Sequence, residues 1–162
     1  MKTHELRSLQ ALRKLREQRA ANQLVAQHQR CQQTSHALDL AKERLHLHRE
    51  NLAREAQQIY ASLTEGLSVI SWQDAQARLS ALANGQQQME TGIDEVEQTL
   101  ETQKRERETF RLERMTRQRQ CEAWDMLLGR REHTEQRAAE HLEDADEGLL
   151  MRLPASVSGT GQ

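Results

Sequence analysis

A chain of 162 residues is long enough for one ordinary domain, but its make-up excludes most globular classes. Charged residues are 30% of the chain against two Trp, one Tyr and one Phe, with one Pro and seven Gly, a profile that belongs to long helices and coiled coils. A formal net charge of −2 argues against nucleic acid as the partner, and no apolar run approaches the ~20 residues that a membrane-spanning helix needs, so no membrane insertion is expected.

The opening segment, MKTHELRSLQALRKLREQRA, has no continuous apolar stretch behind its charges. It is not read as a signal peptide, and the expected address is the cytoplasm. A first helix is predicted from about residue 3 to about residue 64, a stretch without Pro or Gly. Strict seven-residue steps run through Leu24, Cys31, Leu38, Leu45, Leu52 and Ile59. A period averaging ~3.5 residues means a helix wound left-handedly around a partner. Leu6, Leu9, Leu12 and Leu15 do not continue that phase and spread around the helix. Some of them should lack an intramolecular partner, which makes them candidates for a docking surface.

Residues 65–70 are predicted as the loop. Gly66 can take the left-handed conformation that closes a helix, and Ser71, with Asp74 three residues on, can cap the next one. The second helix is then expected over about 71–147, with Gly148 able to stop it and 152–162 read as a disordered C-terminal tail. Alternating steps of four and three pass through Ala75, Leu79, Leu82, Gln86, Met89, Ile93, Val96 and Leu100, and on through Phe110, Cys121, Trp124 and Leu128 to Leu142 and Leu149. Asn84-Gly85 is a turn signal, yet the seam crosses it without a phase change. Gly85 and Gly92 mark either local softness or close approach of a partner backbone.

These readings predict an all-α fold. It is a long two-helix antiparallel coiled-coil hairpin over residues 1–151, with helices roughly 90 Å and 115 Å long at ~1.5 Å per residue. Folding about Val69 sets Ile59 against Leu79, Leu52 against Gln86, Leu45 against Ile93 and Leu38 against Leu100. Cys31 and Leu24 then fall opposite Arg107 and Arg114, so the seam is dry near the loop and leaky further away. Cys31 and Cys121 sit at different levels, and no disulfide is expected between them. Pairs such as Glu50–Arg54, Glu101–Arg105 and Glu113–Arg117 should add weak local support. The second helix overshoots, leaving Leu142, Ala145, Leu149, Leu150, Met151 and Leu153 without a helix-one neighbour, to meet another partner or remain exposed. A hairpin of this kind can stand alone, or its exposed terminal leucines can pair with a second copy.

Charge is zoned. Residues 1–56 and 101–119 are net basic, while 57–100 and 120–147 are net acidic. The motifs of catalysis do not occur: no glycine-rich phosphate loop, no paired-cysteine metal motif and no nucleophile elbow. His46 and His48 point to different helix faces, and His4 and His133 have no third ligand between them. No enzyme activity, cofactor or metal is expected.

The N-terminal LRSLQALRKLREQRAANQ contains Leu12-Arg-Lys-Leu-Arg-Glu-Gln-Arg19. HRENLAREAQQIYASL ends the first helix, and ISWQDAQARLSAL starts the second. ETQKRERETFRLERM and RREHTEQRAAEHLEDADEG give a basic and then an acidic second half. In this order and spacing, over about residues 5–148, the chain resembles the type III secretion stalk proteins of the YscO/FliJ group. The resemblance implies a non-enzymatic cytoplasmic component, peripheral to the inner-membrane secretion apparatus. In the family such a hairpin contacts the hexameric secretion ATPase and bridges toward the export gate, and some members bind translocator chaperones. Carried onto this sequence, the ATPase-facing residues are Leu6, Leu9, Leu12, Arg13, Leu15, Arg16 and Arg19, with Trp124, Leu127 and Leu128 across from them. Tyr60, Leu63, Trp72, Asp94, Glu95 and Glu97 are the candidates for the export gate or a chaperone. The short loop and the Trp72-Gln73-Asp74 start favour the virulence branch over the flagellar one. The alternative is a purely structural coiled-coil tether or scaffold with no ATPase partner.

Overall fold

A computed structural model describes residues 2–151; the disordered tail expected at 152–162 lies outside them. The described chain is all-α, with two long helices packed against each other, α1 over Thr3–Glu65 and α2 over Val69–Leu150. Only Gly66, Leu67 and Ser68 separate them, a shorter loop than the expected six residues. Gly66 has φ +92°, and its N–H donates to the Leu63 carbonyl at 3.4 Å, which closes α1 as predicted.

The cap of α2 is a correction. Ser68, not Ser71, precedes the first turn: the Ser71 N–H donates to Ser68 Oγ at 3.2 Å, and the Trp72 N–H reaches the Ser68 carbonyl at 3.0 Å. A serine three residues upstream serves equally well and shortens the unpaired backbone between the helices. Gly148 does not stop α2. The helix passes through it to Leu150, and the Met151 N–H still bonds to the Glu147 carbonyl at 3.0 Å. Asn84-Gly85 also lies inside α2 without a break.

The described chain divides into two compact units, residues 21–112 around the loop and residues 2–20 with 113–151 at the termini. In the loop unit the core is a single file of apolar side chains. Cys31, Leu38 and Leu45 from α1 meet Ile93 and Leu100 from α2, with Ala41 and Val96 packed against them. Ile59 and Ala75 are buried closer to the loop. Each such leucine or isoleucine withdrawn from water stabilises by about 1.5–3 kcal/mol. Lys42–Glu97 at 2.8 Å and Arg49–Glu90 at 2.7 Å cross between the helices beside this file.

The most buried side chain of the unit is polar. Gln27 is 2% exposed, and its Nε2 donates to the Gln103 carbonyl and to Glu106 Oε2, each at 3.0 Å. Gln103 Oε1 is buried beside it with no hydrogen-bond partner among the described residues. His48 Nε2 lies 2.8 Å from the Leu82 carbonyl, and its ring rests 3.4 Å from where a Gly85 Cβ would stand. So Gly85 faces a side chain, and close backbone approach is not its reason. A Cβ on Gly92 would meet nothing within 4 Å.

In the terminal unit the seam of α1 does not slip, which revises the expectation. It continues in phase through Leu6, Gln10, Arg13, Glu17 and Ala20, but mostly with polar residues. Ala20, Cys121 and Leu128 are buried there. Both cysteines are free thiols. Of the predicted helical pairs, Glu50–Arg54 and Glu113–Arg117 form at 3.8 and 3.3 Å, whereas Glu101 takes Lys104 at 3.1 Å in place of Arg105.

The glycines give opposed expectations. Gly92→Ala should raise unfolding free energy by about 1 kcal/mol, the helix-propensity difference with no clash to offset it. Gly66→Ala should lower it by about 1–2 kcal/mol, because φ +92° is strained for a residue with a Cβ. Urea unfolding followed by circular dichroism checks both; equal effects would mean that the Gly66 turn is not constraining.

Candidate partner-docking surface

The N-terminal turns of α1 are tied to α2 by named contacts. Thr3 Oγ1 donates to the Glu135 carboxylate, with oxygens at 2.6 and 2.7 Å. Arg7 reaches Glu132 through Nη2 at 2.8 Å and Nε at 3.0 Å. Lys14 pairs with Asp125 at 3.5 Å, and Arg114 with Glu17 at 3.9 Å. The Arg13 guanidinium lies over the Trp124 ring, 4.6 Å from its centre. Such a contact is worth about 0.5–1 kcal/mol where exposed and more as water is excluded.

These contacts sort the sequence-derived site residues into two classes. Leu9, Leu12 and Leu15 are exposed, as are Arg16 and Arg19. Leu127 joins them at 55% exposure. The others face inward. Leu128 is 8% exposed and belongs to the seam, so its place on a docking face is corrected. Leu6 is half-buried, and Arg13 and Trp124 satisfy each other. Leucines three residues apart drift around a helix, so the seam takes Leu6 and leaves Leu9, Leu12 and Leu15 progressively further outside.

Near the loop, Tyr60, Leu63 and Trp72 are exposed. Val69 and Ile70 are more exposed still than Leu63 and Trp72, and sequence reasoning missed them by placing them in the connecting loop. Their signal was two adjacent β-branched residues with no place in the 4-3 stepping. Asp94 and Glu95 point to solvent, while Glu97 is held by Lys42.

The trough lined by Lys14, Glu17, Arg114, Gln118, Cys121 and Asp125 is open to solvent. Burial, with the Glu17 and Asp125 charges, pushes the Cys121 thiol up. Among the described residues no group of three or more His, Cys, Asp or Glu is placed to hold a metal ion. No helix among them is long and apolar enough to cross a membrane. Comparison of the chain with protein-family models, with curated proteins and with solved structures finds no match.

The burial contrast between neighbours is testable. Leu128→Ala should cost about 2–5 kcal/mol of stability and Leu127→Ala less than about 0.5 kcal/mol, read from chemical unfolding. A second expectation concerns acid. Hydrogen bonds from Arg49 and Gln86 hold the Glu90 carboxyl below its ordinary 4.5, and those from Thr3 and Arg131 do the same for Glu135. A depressed carboxyl stabilises the fold above its unfolded pKa, and that contribution is lost as pH falls through the lower folded value. Thermal unfolding should therefore shift down between pH 5 and pH 3, and Glu90→Gln should flatten part of that shift.

Proposed function

We propose that the chain is a non-enzymatic stalk of a type III secretion apparatus of the YscO/FliJ type. It docks through its terminal unit on the hexameric secretion ATPase and couples that ring to the export gate. The observation that carries this reading is the strip of exposed leucine and arginine on α1. Leu9, Leu12, Leu15, Arg16 and Arg19 are left outside the seam although the neighbouring seam positions are filled by polar residues. Leucines spent on solvent while Gln10, Arg13 and Glu17 occupy the interface suggest selection for a partner over selection for stability. The exposed loop cluster around Tyr60, Val69, Ile70 and Trp72 offers a second contact, to the export gate or to a translocator chaperone.

The mechanism is mechanical. A helical pair that touches the subunits of a ring unequally biases their conformations by as much as its affinity differs between their states. No side chain of the stalk needs to enter the chemistry of ATP hydrolysis.

Adding the purified protein to the secretion ATPase of the same genome should raise ATP turnover and promote ring assembly. The Leu9→Asp, Leu12→Asp variant should keep its helical signal and lose both effects. No binding and no stimulation by the wild type would leave a structural tether, the competing reading.

A further inference from the structure

The last turns of α2 run past the start of α1. Glu135 is bonded to Thr3, the first residue of α1, and from there α2 continues to Leu150 with every side chain exposed. The seam phase does not stop where its partner does. Ala138, Leu142, Ala145 and Leu149 follow steps of four, three and four along one face, and Leu142 and Leu149 are 68% and 66% exposed. A stripe that keeps coiled-coil spacing for two heptads is built to face another helix.

Charge narrows the choice of that helix. Asp146 borders the stripe, and Glu140, Glu143, Asp144 and Glu147 surround the same turns, against Arg137. None of these five carboxylates is in an ion pair among the described residues. Two such overhangs laid on each other would set acid against acid, so the fitting partner is a basic helix with an apolar face. This chain has one in its own terminal unit. Leu9, Leu12, Arg16 and Arg19 lie at steps of three, four and three on one side of α1. Arg7, Arg13 and Lys14 are engaged by Glu132, Trp124 and Asp125, but Arg16 and Arg19 are exposed and in no ion pair among the described residues. From Glu135 to Leu150 α2 extends roughly 22 Å at ~1.5 Å per residue, enough to cover the roughly 15 Å from Leu9 to Arg19.

We propose that the acidic overhang of α2 packs, in parallel, on the basic leucine face of α1 in a second copy of this chain. The second copy's overhang returns the same contact, giving a two-fold, end-to-end dimer. Each contact joins unlike surfaces, and the two-fold axis closes the pair. The dimer covers the leucines assigned above to the ATPase. It is nevertheless a property of the purified chain alone, so its failure leaves the ATPase reading standing, and the converse also holds.

Sedimentation equilibrium of the full chain, from low to high micromolar concentration, tests it. The wild type should dimerise, and the dimer should weaken with added salt as the charges are screened. Leu142→Glu with Leu149→Glu should weaken it by about tenfold or more, as should Arg16→Glu with Arg19→Glu. All four side chains are exposed, so the helical signal should not change. Adding Glu143→Arg and Asp146→Arg to the arginine variant should restore much of the affinity. A wild type that stays monomeric overturns the proposal, as does a dimer that survives both double variants. A dimer tightened by the overhang reversal alone would mean overhang-to-overhang pairing and would overturn it too.

Discussion

Each helix of this protein can bury only one stripe, and it can bury it only against the other helix. Everything else follows from that single shared line of side chains. A layered domain spreads its apolar residues over several faces, so one poor contact is diluted. Here each level of the seam is held by one or two residues from each side, and a polar residue at a level is felt there directly. Around the loop the levels are Cys31, Leu38, Leu45, Ile93 and Leu100, a continuous apolar file. At the termini they are Gln10, Arg13, Glu17, Arg117 and Trp124, with Ala20, Cys121 and Leu128 between. The division into two compact units falls where the first kind of seam gives way to the second.

That change of character explains how the terminal unit is stabilised. With little apolar area to bury, it relies on side chains that are amphipathic by construction. Arg13 lays its guanidinium on Trp124, and Arg7 reaches across to Glu132. Contacts of this sort hold helices in place while remaining open to water and salt. They are weaker and easier to exchange than the leucine file at the loop. Rearranging such a seam therefore costs little.

Much of this was legible in the sequence, because a 3.5-residue period survives any amount of surface variation. The two helices, the turn at Gly66 and the core residues from Leu38 to Leu100 could all be read from spacing alone. What could not be read were the places where several residues satisfy the same rule. Ser68 and Ser71 are both good caps, and only the backbone decides between them. Gly148 can end a helix but need not, since an exposed glycine costs a helix only about 1 kcal/mol. At the N-terminus the leucines drew attention away from the true seam, which is marked there by Gln10, Arg13 and Glu17. Hydrophobic periodicity is blind to an interface made of polar residues. Leu128 already stood on the 4-3 seam by spacing; only the family resemblance set it beside Leu127 on the docking face, and one position of rotation buries the first and exposes the second.

Gln27 has a consequence for alignment. A repeat of seven invites slippage, but sliding one helix past the other by seven residues would unwind the helix ends at the three-residue turn, and it would set Leu45 against Gln86 in one direction or Leu38 against Arg107 in the other. The short loop and the apolar file therefore hold the register near the turn. Gln27 adds a polar mark further along, because its amide is matched to the Gln103 carbonyl and the Glu106 carboxylate at one level. Displaced by a heptad, it would be enclosed without those partners, a penalty of about 1–3 kcal/mol. One glutamine thus adds an index mark, far from the turn, to a ruler whose origin the short loop already sets.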